Sequence, residues 1–196
     1  MEEYYRCDLT NVLQTSVGGR MHSVRCPKEL PNGIFCTLGD YEEGSIEIKY
    51  MSAPEIDSTE IAIICKPEIN YDERFSSDNA IGIFRNEANS VVPAVILSNH
   101  DGIDLSSDYF SKSEEPQVGN WYKLNENLIP GIQFSKQDAV PVTGPAQKGV
   151  YFKVIGIKPS CIANFVASKG NKLPAIYNMI QLEVVIVNED STEEQP

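Results

Sequence analysis

Residues 179–187 constrain this chain more than any other stretch. Ile180, Leu182, Val184 and Ile186 fall on one side; Gln181 and Glu183 fall on the other, which turns apolar at Val185 and Val187. Only an extended backbone sends every second side chain to the same face, so the segment must be a strand, and a strand with one apolar face needs a sheet to bury it.

Similar signals recur along the chain. In residues 45–51, Ile46, Ile48 and Tyr50 alternate with Glu47 and Lys49, which predicts a half-buried strand with the first three facing inward. Residues 61–65 form an unbroken apolar run between Glu60 and Lys66, the pattern of a strand covered on both faces. Residues 80–84 and 91–97 follow. Asn99-His100-Asp101-Gly102 predicts a turn with Gly102 supplying the positive φ. In residues 119–124, Tyr122 and Leu124 oppose Trp121 and Lys123; in residues 149–157, Val150, Phe152 and Val154 oppose Tyr151, Lys153 and Ile155. One short helix is expected after Ser160, running through Ile162, Phe165 and Val166 and stopping at Gly170. Long loops are expected at 52–59, 68–79, 111–118 and 136–148, the kind that mediate contacts on a β scaffold.

These elements predict an all-β chain: a single β-barrel or β-sandwich domain over residues 21–188. Residues 1–20 lack periodicity and end at Gly18-Gly19, so they read as an extended N-terminal arm. Residues 189–196 hold four acids and no apolar side chain, and read as a mobile acidic tail.

The charge is unevenly spread. The net value is −12. Residues 31–126 carry eighteen acids against six bases, residues 127–182 six lysines against one acid, and residues 183–196 five acids. An acidic middle disfavours nucleic acid as a partner, and lysines without arginine recognise phosphate poorly. No apolar run is long enough for a membrane helix, and the acidic start, Met1-Glu2-Glu3-Tyr4-Tyr5, is unlike a secretion signal, so a cytosolic origin and no membrane partner are expected. Five cysteines, Cys7, Cys26, Cys36, Cys65 and Cys161, without a Cys-x-x-Cys pair, are expected to be free structural thiols.

No set of residues carries a catalytic signature. Only His22 and His100 are available as bases. Cys65, His100 and Asp104 make a set on paper, but Cys65 lies in a buried-strand pattern and His100 in a turn. His22, Cys26 and Cys36 lack a fourth zinc ligand. Asp101, Asp104 and Asp108 surround a glycine without the alternating ligands and closing glutamate of a calcium loop. Asp72-Glu73 and Glu114-Glu115 are carboxylate pairs in loops, and no phosphate-binding glycine loop occurs. The expectation is therefore no enzyme, with no catalytic, cofactor-binding or metal residues and no cofactor. Trp121 and Tyr122 keep a carbohydrate-binding module or hydrolase open as an alternative.

A resemblance adds a context. Pro31-Asn32-Gly33-Ile34-Phe35-Cys36-Thr37-Leu38-Gly39, Tyr41-Glu42-Glu43-Gly44, Ile61-Ala62-Ile63-Ile64, Pro67-Glu68-Ile69-Asn70-Tyr71-Asp72-Glu73-Arg74, Phe84-Arg85-Asn86-Glu87 and Val118-Gly119-Asn120-Trp121-Tyr122-Lys123-Leu124 together resemble β-rich virion structural proteins of tailed bacteriophages. The likeness spans roughly residues 30–125. Where that group has an arginine-rich stretch after its Asn-Glu pair, this chain has Val91-Val92-Pro93-Ala94-Val95. The resemblance implies a head decoration, cement or auxiliary capsid protein, located in the virion head and made in the bacterial host cytoplasm. It implies the major capsid protein and copies of the chain itself as partners. A tail, connector or head-fibre-base protein is the alternative within the same class.

Overall fold

A computed structural model describes residues 7–9, 12, 20–55, 57–66, 85–111, 115–124, 133–137, 140, 144–166 and 172–189. They form eleven strands: β1 (Cys7–Asp8), β2 (Met21–Arg25), β3 (Phe35–Tyr41), β4 (Ile48–Ser52), β5 (Ala62–Ile64), β6 (Val91–Ile96), β7 (Gly102–Ser106), β8 (Trp121–Leu124), β9 (Phe134–Gln137), β10 (Gly149–Val166) and β11 (Lys172–Val187). The chain is all-β. Strands β2, β4, β3, β5 and β6 close into a barrel, and the others form a six-stranded sheet in the order β1-β7-β11-β10-β8-β9. Every pairing is antiparallel except β2 with β4.

The alternations of β8, β10 and β11 predict their buried faces correctly. Tyr122 and Leu124, then Val150, Phe152 and Val154, then Ile180, Leu182 and Val184 are all buried, Ile186 is partly so, and β5 is buried along its whole length; Tyr151, expected on the outer face of β10, is buried as well. The segment expected at 80–84 lies outside the described residues.

Three local expectations are corrected. No helix follows Ser160: β10 continues to Val166, paired with β11 from Cys161↔Tyr177 to Val166↔Lys172. Ser160 instead sits in a bulge between Lys158 and Cys161 with φ 56°, its N–H donating to Asn178 Oδ1 at 3.1 Å. Long-range pairing prevails over a local capping signal because β-branched and aromatic residues gain more in a ladder than in a short helix. In β4 the phase is reversed, with Met51 buried while Ile46 is 89% and Tyr50 49% exposed. Ser45 Oγ accepts from the N–H groups of Glu47 (3.2 Å) and Ile48 (2.9 Å), so a turn occupies the expected start of the strand. Finally, the positive φ before β7 belongs to His100 (66°), and Gly102 begins the strand.

Barrel and sheet share one hydrophobic core. Phe35, on β3 of the barrel, lies 5.6 Å from Phe134 and 5.1 Å from Phe152, ring centre to ring centre, both on the sheet. Phe110 stacks on Phe134 at 4.6 Å, and Tyr122 meets Phe110 edge-on at 5.2 Å. Polar contacts reinforce this seam. Gln133 Nε2 donates to Gly33 O (3.1 Å) while its Oε1 accepts from Phe35 N–H (3.3 Å). The buried Asn32 side chain pairs with both backbone groups of Lys66, at 2.8 and 3.0 Å, and accepts from Asn86 Nδ2 at 3.1 Å. Tyr109 Oη donates to Asn32 O. At the other end, Arg20 Nε donates to Ile96 O (2.9 Å), and its guanidinium pairs with the fully buried carboxylate of Asp101.

The described part of the N-terminal segment is held by this body. Cys7–Asp8 pairs with β7 as the edge strand, and Val12 is buried in the core. At the other terminus Glu189 is exposed, and residues 190–196 lie outside the described set.

Gly33 (φ 77°) and Gly44 (φ 79°) separate backbone strain from packing. A Cβ on Gly33 would fall 2.5 Å from Tyr109 Oη and 2.8 Å from its ring; one on Gly44 meets nothing within 4 Å. Both alanine variants carry the left-handed backbone cost of about 1–2 kcal/mol. Gly33→Ala is expected to lose a further ~1–3 kcal/mol because Tyr109 is buried and hydrogen-bonded in place. Denaturant unfolding of the two variants checks this, and equal losses would contradict it.

Candidate functional site

The fold disperses the residues that looked chemically suggestive. Cys65 follows β5, its N–H on Pro93 O at 3.1 Å. His100 Nδ1 lies 2.8 Å from Glu183 Oε1, in the turn ahead of β7. Asp104 Oδ2 accepts from Lys158 Nζ at 2.6 Å, and that hydrogen bond raises the lysine's pKa. Each member of the paper triad therefore has a different partner. The aspartates do not converge either, since Asp101 holds Arg20 and the Ser98 N–H (2.7 Å) while Asp104 holds Lys158. Among the described residues no group of three or more His, Cys, Asp or Glu side chains is placed to hold a metal ion. Cys26 Sγ donates to Lys28 O (3.2 Å), Cys36 is fully buried, and all five cysteines are free thiols. Asp72-Glu73 and Glu114 lie outside the described residues, and Glu115 is exposed.

What the structure does assemble is surface. On β8 and β10, register sets Lys153 opposite Trp121 and Lys123 opposite Tyr151. Lys153 Nζ lies 5.4 Å from the Trp121 ring centre and Lys123 Nζ 5.0 Å from that of Tyr151, so two ammonium groups rest on two aromatic faces. Lys123 Nζ also donates to Lys148 O at 3.2 Å. Val118 (64% exposed) and Ile155 (51%) flank this face. Strands β8, β9 and β10 contain four lysines and no acid. Tyr122 is buried in the aromatic cluster, and Tyr151 is buried too, with Lys123 over its ring.

A second surface lies at the β3–β4 turn. Asp40, Glu43 and Glu47 are exposed there, together with Tyr41 (52%) and Ile46 (89%). Arg25 neutralises Glu42 (Nη2–Oε2 2.5 Å), and Lys49 Nζ lies 5.1 Å from the Tyr41 ring centre.

The third feature is a ribbon. β8 accompanies β10 only at residues 151–153, and β7 accompanies β11 only at residues 179–183. The six pairs from Cys161↔Tyr177 to Val166↔Lys172 run on for about 20 Å, with no third strand beside them among the described residues. Their sequences, CIANFV and KLPAIY, contain one charge, Lys172.

The lysine-rich stretch was visible in the sequence, but its pairing with Trp121 and Tyr151 depends on strand register. The ribbon was hidden by the helix signal at Ser160, although the apolar, β-branched run around it pointed to a strand. No family model, curated protein or solved structure matches the chain.

Burial pushes the Cys36 thiol up to about 12 from an ordinary 9.0, with the neighbouring Cys26 adding to it. A neutral thiol at neutral pH is no nucleophile. Because the folded value lies above the unfolded one, the stability tied to this group is complete below pH 9.0 and is lost as pH rises towards 12. Unfolding free energy measured across that window should fall with pH, and Cys36→Ala should make the fall shallower. An unchanged slope would contradict the assignment.

Proposed function

We propose that the chain is a structural assembly protein of a tailed-bacteriophage virion, of the head decoration, cement or auxiliary capsid type. The observation that carries the assembly part is the β10–β11 ribbon. Among the described residues no third strand lies beside it, and an apolar two-stranded ribbon is marginal alone in water. Such an element gains stability when another chain covers it, as strand addition or as a clasp. The phage context comes from the sequence resemblance of residues 30–125 to β-rich virion proteins. The partners on this reading are the major capsid protein and further copies of the chain.

Chemistry points the same way. Suggestive titratable groups on the described surface are held in separate ion pairs, while lysines and aromatics are arrayed across a face. A tail, connector or head-fibre-base position uses the same surfaces and differs in copy number. The half-buried Trp121 favours one other reading, glycan binding, which would show as saturable binding lost in Trp121→Ala.

Quantitative mass spectrometry of purified virions tests the proposal. The expected result is a copy number comparable to that of the major capsid protein. A few copies per particle would move the protein to the connector or tail, and absence would overturn the virion reading. Replacing residues 161–177 by a tight Asn-Gly turn is expected to leave the barrel and sheet folded while abolishing incorporation. Undiminished incorporation would remove the ribbon from the account.

A further inference from the structure

The acidic turn and the lysine–aromatic face are complementary in two respects, and in one copy Ile46 of the turn and Val118 and Ile155 beside the face stay exposed. We propose that the β3–β4 turn of one copy docks on the β8–β10 face of a second copy, giving a head-to-tail contact. This deepens the assembly reading above and rests on it for the expectation that copies meet.

The turn is built to present an anchor. Gly44 takes φ 79°, Ser45 N–H donates to Glu42 O at 2.9 Å, and Ser45 Oγ caps the two following N–H groups. These bonds hold Ile46 outward, 89% exposed, between the exposed carboxylates of Glu43 and Glu47. The receiving face has the matching parts. Val118 and Ile155 offer exposed apolar surface, the half-buried Trp121 an aromatic edge beside them, and Lys123 and Lys153 the opposite charge, while Tyr151 lies buried beneath Lys123. Glu183, the acid opposite Lys153 in register, lies beside His100. In one copy Ile46 and Val118 are both mostly exposed, so the turn does not cover its own face.

A knob and a socket on different parts of one chain form a heterologous contact. It repeats from copy to copy, closing into a ring or growing as a row. Apolar anchors flanked by opposite charges give affinity at the centre and orientation at the rim. Rim charges are screened by salt, with a Debye length of about 30 Å at 0.01 M and about 8 Å at 0.15 M.

Sedimentation velocity on the full chain tests this, with emission of Trp121, the only tryptophan, as a second readout. The wild type is expected to associate with rising concentration at low salt, with a blue shift of Trp121 emission. Affinity should weaken at least tenfold towards physiological salt. Glu43→Lys with Glu47→Lys, and separately Lys123→Glu with Lys153→Glu, should each abolish association while circular dichroism stays unchanged. Mixing the two variants, or combining all four reversals in one chain, should restore it.

A wild type that stays monomeric at low salt, or association that the reversals leave intact, overturns the proposal. So does a lysine face that binds heparin or an oligonucleotide while the chain does not self-associate. Such a failure with the protein still present in virions would remove this contact alone. Self-association in a protein absent from virions would support the contact and overturn the virion reading.

Discussion

Phe35 is the residue on which the rest of the structure depends. It belongs to a barrel strand, yet its ring packs against Phe134 and Phe152 of the six-stranded sheet. A five-stranded barrel closed by strands of three to seven residues encloses little apolar volume, and a six-stranded sheet needs a cover for one face. Sharing the aromatic cluster meets both needs. Gln133 ties the same spot with two hydrogen bonds to residues 33 and 35, and Arg20 with Asp101 ties the opposite end. A buried carboxylate needs such a partner, since burying a charge unpaired costs several kcal/mol.

How much of this could be read beforehand follows from which forces are local. The alternations in β8, β10 and β11 are local and reported their buried faces correctly. Closure of the barrel is not local: β2 and β4 meet in parallel at Ser23↔Ile48 to Arg25↔Tyr50, across an intervening strand, and such a pairing leaves no periodic mark. The reversed phase of β4 came from Ser45, whose hydroxyl makes a turn of what looked like strand. The helix expected after Ser160 failed because its caps were judged without the partner strand 172–177. Misplacing the positive φ on Gly102 rather than His100 has a similar root, since glycine permits that conformation without requiring it.

The surfaces were legible only in part. A lysine-rich stretch was plain in the sequence, but register alone sets Lys153 over Trp121 and Lys123 over Tyr151. Ile46 was assigned to the interior because it is apolar and in phase with its neighbours; the structure places it as the most exposed large hydrophobic side chain among the described residues. Charge separation, with acids at the barrel turn and lysines on the sheet, explains how a chain of net charge −12 can present a cationic face. A body held at Phe35 keeps these faces fixed while the ribbon reaches beyond it.

The central claim is that this protein works through surfaces completed by other chains, and amide hydrogen exchange along β10 and β11 tests it most directly. In dilute isolated protein, residues 151–154 and 180–184 are predicted to exchange slowly, because neighbouring strands and the shared core protect them. Residues 161–166 and 172–177 are predicted to exchange much faster, and to become protected in the assembled state. Ribbon amides as slow as the core in dilute isolated protein, unchanged on assembly, would contradict the account.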